Sequence, residues 1–120
     1  MTPAISLTGV GRRFGDHQAL REVTFDIGTP SIVGLLGRNG AGKSTLLRIL
    51  SGQEVATAGR VRVLGAAPLE NDAVLRRMVL IREDQTYPDL KVSQALAAAA
   101  MFYPNWDAEL AGRLLDDYEL

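Results

Sequence analysis

Alternation of apolar with small or polar residues predicts the first structured part of the chain. The alternation runs over residues 5–10 and again over 23–27, with Gly15-Asp16-His17 between them. A period of two places one face of a strand in a core and the other face in solvent, and Gly and Asp favour tight turns. The pattern therefore predicts two half-buried antiparallel strands. A third alternating stretch, bounded by glycines, predicts a strand over 59–65.

Two continuous apolar stretches predict strands of a different kind. They cover residues 31–36 and 78–81, and neither alternates with polar positions. Short apolar runs of this length are typical of fully buried strands. We therefore expect an α/β core with a small antiparallel layer beside it.

Helical spacing predicts two short helices in the first part of the chain. One covers residues 45–50, and Gly52 marks its end because glycine readily adopts the left-handed conformation that ends helices. The other begins at Pro68 and extends through Arg76.

Beyond Asp89 the chain becomes rich in alanine and leucine with helical spacing. We expect one helix from Val92 to about Phe102, ended by the proline that follows. A second helix comes next, capped by either Asn105 or Asp107, since both side chains can accept a hydrogen bond from a first-turn N–H.

The composition is that of one globular domain without a basic surface. Hydrophobic residues make up 47% and charged residues 22% of the 120 residues, and the formal net charge is -1. Because charges of both signs are interspersed, no nucleic-acid partner is indicated. The absence of cysteine excludes disulfides and thiolate metal sites, so any metal ion is expected to arrive with a ligand.

The sequence shows no targeting signal or membrane anchor. The first residues lack both the basic and the apolar segment of a secretory signal. The longest apolar run, over 95–103, is far short of the ~20 residues that a spanning helix needs. We therefore expect a cytoplasmic protein that meets a membrane only through a partner.

Residues 37–44 contain the most specific motif of the chain. They read Gly-Arg-Asn-Gly-Ala-Gly-Lys-Ser, a complete match to the phosphate-binding pattern G-x-x-x-x-G-K-S/T. The motif stands between a predicted strand and a predicted helix, which is the setting that it requires. A concave row of backbone N–H groups binds the charged phosphates, and glycine is needed where the loop is strained or closely approached. The sequence therefore predicts a nucleoside triphosphate as the ligand.

The glycines of this loop have predicted roles. Gly37 and Gly40 allow the loop to wrap tightly. Gly42 lets the backbone approach phosphate oxygens where a Cβ would collide.

The polar residues that follow have roles of their own. Lys43 is expected to bridge the β- and γ-phosphates as a catalytic group, Ser44 to offer its hydroxyl to Mg²⁺, and Thr45 to reach the α-phosphate. The N–H groups that open the helix add the favourable end of its dipole. The whole predicted phosphate loop is Gly37, Arg38, Asn39, Gly40, Ala41, Gly42, Lys43, Ser44 and Thr45.

Sequences on both sides of the loop extend the pattern. Arg13-Phe14-Gly15 and Ala19-Leu20-Arg21-Glu22-Val23 precede it, and Gly59-Arg60-Val61 follows it. Together with the segment over 35–47, and in this order, they resemble the ATP-binding subunit of ABC transporters. The resemblance covers essentially all 120 residues.

The resemblance implies both a fold and a function. The implied fold is an α/β P-loop NTPase core with an antiparallel β subdomain over 1–84, followed by the beginning of a helical subdomain over 85–120. The implied function is MgATP binding and hydrolysis by a subunit that pairs with a second ATP-binding subunit. A transmembrane permease would be the membrane partner and would hold the protein at the inner face of the membrane.

Phe14 stands where ABC ATPases carry an aromatic residue that stacks on adenine. Stacking on the face of an aromatic ring tolerates different bases and is worth about 1–3 kcal/mol. The alternative interpretation is a core phenylalanine on a strand. His17, the single histidine, lies in the predicted turn, and we expect it to be a surface residue without acid–base function.

The resemblance also implies a glutamine that contacts Mg²⁺ and the attacking water after the strand over 78–81. Here the sequence departs from the family. A gapless count back from Tyr87 puts Arg82 in that position, and Gln85 follows three residues later. An amide oxygen is a suitable ligand for Mg²⁺ and a guanidinium is not, which favours Gln85 as a catalytic and metal-binding residue. A phosphate contact by Arg82 and a solvent-exposed loop remain open.

Three parts of the family's hydrolytic machinery are not found in these residues. They are the signature sequence, the apolar strand that ends in Asp-Glu, and the switch histidine. The resemblance thus leaves the N-terminal portion of a transporter ATPase as the main hypothesis, with slow hydrolysis by this chain alone. The alternatives are a truncated nucleotide-binding module without turnover and a non-transport ABC-type ATPase of DNA repair or translation, which the lack of a basic stripe disfavours.

Overall fold

A computed structural model describes residues 2–38, 40, 42–83 and 89–120. By contacts between Cα atoms the chain divides into two compact units, Met1–Leu80 and Ile81–Leu120. The elements in chain order are β1 (Ile5–Phe14), β2 (His17–Ile27), α1 (Lys43–Leu50), β3 (Ala58–Val63), α2 (Asp72–Leu75), α3 (Val92–Ala100) and α4 (Ala108–Asp117).

The first unit contains a three-stranded antiparallel sheet. β1 lies in the middle and pairs with β2 on one side and β3 on the other. Gly15 has φ +59° in the turn that joins β1 to β2, so Phe14 and His17 stand opposite each other. The predicted pair of half-buried strands and the third strand bounded by glycines are confirmed.

A bulge in β1 brings its two most buried residues to the same face. Leu7 and Val10 are 1% and 0% exposed, although strict alternation would send residues three apart to opposite faces. The register shifts between them, and Gly9 adopts φ +58° there. The extra residue therefore returns Val10 to the core face.

α1 covers this face of the sheet. Leu46 and Ile49 are buried and form one cluster with Leu7, Val10 and Leu20. Their spacing of three residues places both helix side chains on one face of α1. The predicted helix is confirmed, and Gly52 follows it with φ +76°.

The predicted helix from Pro68 through Arg76 is only a single turn. α2 follows Asn71, which stands at the N-cap position without a side-chain capping bond, and it buries Val74. The residues before it form a turn in which Asn71 N–H donates to the Pro68 carbonyl at 3.3 Å. Residues 68–71 form this hydrogen-bonded turn, and the helix therefore begins at Asp72, later than the sequence predicts.

The two continuous apolar stretches are not strands, which corrects the prediction. Residues 31–36 and 78–81 have no sheet pairing in the structure. Ile32 and Leu36 are 103% and 94% exposed, and Ile81 is 75% exposed. A strand forms only where a neighbouring strand satisfies its backbone N–H and C=O groups. Among the described residues, only β1, β2 and β3 pair with one another in this way.

The second unit holds the two predicted helices. α3 ends at Ala100, two residues before the predicted end. α4 is capped by Asp107, whose carboxylate accepts from Leu110 N–H at 2.9 Å, so the choice between Asn105 and Asp107 is settled for Asp107. Over the described ranges, no helix has the length and apolar character required to cross a bilayer.

Candidate nucleotide-binding site

A cavity of about 300 Å³ lies between the turn of the hairpin and the beginning of α1. Its size is at the lower end of the range for small-molecule sites, which starts near ~300 Å³. Two segments that are distant in sequence meet here because α1 packs on the sheet that β1 and β2 form. The lining residues are Phe14, His17, Ala19, Gly40, Gly42, Lys43, Ser44 and Thr45.

Position 42 requires glycine because the backbone there lies directly against β2. It adopts φ +94°, and a Cβ added there would lie 2.4 Å from the Ala19 carbonyl oxygen and 2.8 Å from Leu20 Cδ2. Glycine at this position lets the loop pass against β2. The close approach of phosphate oxygens to Gly42 stays a prediction.

Gly40 illustrates a different use of glycine. Its φ is +87°, but an added Cβ would meet nothing within 4 Å. Only the backbone conformation favours glycine here, as the predicted tight wrap of the loop requires.

The N-terminus of α1 faces this cavity without a side-chain cap. Gly42 is the N-cap residue, and the first turn holds no acidic side chain. The first hydrogen bond of the helix is made by Leu46 N–H to the Gly42 carbonyl at 2.9 Å, so the earlier N–H groups have no partner within the helix. Together with the helix dipole, these groups favour an anion. Ser44 is exposed and Thr45 half-buried at this end.

Lys43 links the two ends of the loop. Its Nζ donates a hydrogen bond to the Gly37 carbonyl oxygen. An ammonium has three donor hydrogens, so further donors remain for a ligand. Lys43 lines the cavity together with Ser44 and Thr45, the next residues of α1.

Phe14 lies at the other side of the cavity. The residue is 39% exposed, so the alternative of a core phenylalanine is wrong. The Arg12 guanidinium carbon lies 4.4 Å from the ring centroid. The ring therefore has a cation against one face and remains accessible from the cavity.

His17 is the lining residue whose position the sequence interpretation missed. It is exposed, as predicted, yet it lines the cavity with Phe14 and Lys43. The predicted turn could have indicated this position. A two-residue connection at Gly15 and Asp16 places residue 17 directly across from residue 14.

Two further predicted site residues, Arg38 and Arg82, are described by the structure and are not among the lining residues. Arg38 is described and exposed, and Arg82 is described and exposed in the second unit. Gln85, Asn39 and Ala41 lie outside the described residues. No cluster of three His, Cys, Asp or Glu side chains that could hold a metal ion is found where the structure describes the chain.

A second cavity of about 340 Å³ lies elsewhere in the first unit. Ile49, Val61 and Pro68 are among its lining residues. It lacks the features that favour a phosphate in the first cavity, since neither a glycine loop with a lysine nor a helix N-terminus contributes to its lining. Geometry thus favours the smaller cavity as the nucleotide site.

A sequence profile of the family described as ABC transporter matches residues 20–118. The chain belongs to the ABC transporter family. The matched range includes the phosphate loop and α1, whereas Phe14 and His17 precede it. Membership confirms the resemblance that the sequence motifs indicated, and a nucleotide as the ligand class follows from it.

Curated relatives are import ATP-binding proteins of ABC transporters. The chain is 36% identical over 98 residues to the ribose import ATP-binding protein RbsA of Chelativorans sp. (strain BNC1), covering 78% of this chain and 19% of that protein. It is 45% identical over 80 residues to the phosphonates import ATP-binding protein PhnC of Anaeromyxobacter dehalogenans (strain 2CP-C), covering 67% and 16%. The chain thus spans less than a fifth of either relative.

A solved structure of an ATP binding subunit of an ABC transporter shares the fold. The TM-score is 0.83 at 27% identity, over 98% of this chain and 51% of that subunit. This similarity confirms the α/β class with an antiparallel sheet and helices. The chain corresponds to about half of the solved subunit.

Proposed function

We propose that this chain binds MgATP in the cavity between the hairpin turn and α1. One observation carries the proposal: the cavity joins an exposed aromatic ring to a glycine loop, a lysine and an uncapped helix N-terminus. A nucleotide has the matching division, with a flat base at one end and an anionic phosphate chain at the other.

The phosphate end fits the residues around Lys43. The ammonium, the Ser44 and Thr45 hydroxyls and the first N–H groups of α1 are all donors, and the described residues of the lining include no carboxylate that would repel an anion. Lys43 would hold the β- and γ-phosphates, and the helix N-terminus would hold the phosphate oxygens nearest to it. The base end would rest on Phe14.

Mg²⁺ fits the same end. This ion keeps several waters and is held by one or two protein oxygens together with phosphates, so a dedicated acidic cluster is not needed. Ser44 would supply one oxygen, and Gln85 remains the proposed second ligand. The ion, when bound, neutralises phosphate charge during transfer to water.

Hydrolysis and transport are proposed for a full-length ATP-binding protein of the kind that the relatives represent. There the subunit would pair with a second ATP-binding subunit and drive a transmembrane permease from the inner face of the membrane. The relatives' import functions support this proposal. Where the structure describes the cavity lining, no carboxylate is placed to orient water, and we therefore expect this chain alone to bind ATP with slow turnover.

The test is a calorimetric titration with ATP and Mg²⁺. Lys43→Ala is expected to weaken ATP binding by tenfold or more, since it removes the lysine ammonium from the described residues of the cavity lining. Lys91→Ala is the matched control, because Lys91 lies before α3 in the second unit and is the only other lysine. Equal affinity of the wild type and Lys43→Ala would reject the site.

A further inference from the structure

We propose that Arg12 is a positioning residue that holds the Phe14 ring in the orientation that stacks on adenine. The inference rests on the proposed ATP site and assigns a role to a residue that does not line the cavity. It concerns affinity for the base, and not for the phosphates.

Three contacts hold the Arg12 guanidinium. Nη2 lies 2.9 Å from a carboxylate oxygen of Glu54, and Nη1 donates to the Val55 carbonyl oxygen at 3.0 Å. The guanidinium carbon lies 4.4 Å from the centre of the Phe14 ring. The group is therefore fixed by the segment after α1 while it covers one face of the ring.

Burial makes these contacts stronger than those of a typical surface pair. The side chains of Arg12 and Glu54 are only 21% and 23% exposed. Arg12 and Phe14 are two apart on β1, and the 4.4 Å approach of the guanidinium carbon to the ring centroid shows that their side chains meet. A planar guanidinium that is held by hydrogen bonds can lie flat on an aromatic ring, which the flexible ammonium of a lysine does less well.

A restrained ring binds a base better than a mobile one. An exposed phenylalanine that must stop moving when a base stacks on it loses rotamer freedom, and that loss opposes binding. Arg12 occupies one face of the ring, which leaves the opposite face for the base. The contacts from Glu54 through Arg12 to Phe14 thus restrict the motion of the ring before ATP binds.

A purely structural role of Arg12 is the alternative. In that case the ion pair with Glu54 would only tie the segment after α1 to β1, and its loss would disturb the whole site. Base and phosphate affinity would then fall together, whereas a positioning role changes base affinity alone.

The experiment compares the affinities of the chain for MgATP and for inorganic tripolyphosphate with Mg²⁺, which has the phosphates but no base. Arg12→Ala is expected to weaken ATP binding about two- to fivefold, the size of a partly buried cation–π contact, and to leave tripolyphosphate binding unchanged. Arg12→Lys is expected to fall between Arg12→Ala and the wild type. Phe14→Ala is expected to lose about tenfold for ATP only.

A double variant identifies the route of the effect. If Arg12 acts through the ring, Arg12→Ala adds nothing to the loss that Phe14→Ala already causes. Arg13→Ala is the matched control, because it removes the same charge from the neighbouring position of β1 without removing a cation from the ring. It is expected to bind both ligands like the wild type.

The outcomes separate this inference from the proposed function. Equal losses for both ligands in Arg12→Ala, or an undiminished ATP affinity, would overturn the positioning role while leaving the ATP site intact. A wild type that binds ATP no better than tripolyphosphate would reject the base site on Phe14, and the role of Arg12 with it. If Arg12→Ala does not fold, Arg12→Lys replaces it in the same comparison. A weaker affinity for MgATP with unchanged affinity for tripolyphosphate would support the positioning role, and equal losses for both ligands or an undiminished ATP affinity would overturn it.

Discussion

Two apolar parts of the first unit differ completely in their burial. Leu7 and Val10 of β1 are 1% and 0% exposed, whereas Ile32 and Leu36 are 103% and 94% exposed. All four side chains are apolar, so hydrophobicity alone does not decide between these outcomes. β1 has a strand on either side and α1 across its face, and the segment over 31–36 has no strand partner among the described residues. Burial here depends on backbone pairing as much as on side-chain character.

The difference also explains where the site lies. The cavity is built on β1, β2 and α1, which share the buried cluster of the first unit. A ligand site needs groups that are held in place, and these three elements supply them. The exposed apolar segment enters the same loop from its N-terminal side and contributes no residue to the lining.

The largest expected effect comes from the core. Leu7→Ala should lower the free energy of unfolding by about 2–5 kcal/mol, since it opens a cavity among packed side chains. Leu36→Ala removes the same atoms from an exposed position and should change the free energy of unfolding by less than about 0.5 kcal/mol. Urea unfolding followed by the NMR signals of β1 amides measures both. Similar losses in the two variants would show that the burial of Leu7 contributes no more to stability than the exposed side chain of Leu36.

The second prediction concerns the loop between these regions. Gly42→Ala should destabilise the first unit by about 2 kcal/mol and abolish most ATP affinity, because it combines a left-handed conformation with a clash against Ala19. Gly40→Ala has a similar conformation and open space around it, so it should cost only about 1 kcal/mol. Thermal unfolding and ATP titration of both variants make the comparison. A Gly40→Ala variant that is the worse of the two would show that the contact with β2 is not what requires Gly42.

The third and smallest effect lies in the second unit. Asp107→Ala should destabilise α4 by about 1 kcal/mol, since it removes the acceptor of the Leu110 N–H. Hydrogen exchange of the α4 amides reports this locally. Asn105→Ala is the control, and protection that drops equally in both variants would argue against a capping role specific to Asp107.

Local patterns explain what could be predicted of the fold. Alternation predicted the parts of β1 and β2 over 5–10 and 23–27, and Gly52 predicted the end of α1. Asn105 and Asp107 both remained possible as the cap of α4 until the structure showed the hydrogen bond to Asp107. The apolar run over 31–36 gave the wrong prediction because its composition says nothing about whether a neighbouring strand is present to pair with it. The bulge that buries Val10 depends on the conformation of Gly9, and alternation alone does not specify it.

In the candidate site, too, local features could be predicted and contacts between distant segments could not. The loop motif predicted Lys43, Ser44 and Thr45 as neighbours because their spacing is local. The contact between Gly42 and Ala19 could not be predicted, since it depends on how α1 and its loop pack on β2. The guanidinium over Phe14 depends on Glu54, which lies beyond α1, and Gln85 stays a prediction.

The central claim is that ATP binds between the hairpin turn and α1, and amide chemical-shift mapping tests it most directly. If ATP binds there, addition of MgATP is expected to cause the largest shifts at residues 14–17 and 42–45, with little change around Val61 and Pro68 in the larger cavity. Shifts concentrated around that larger cavity, or absent from the hairpin turn and α1, would contradict it.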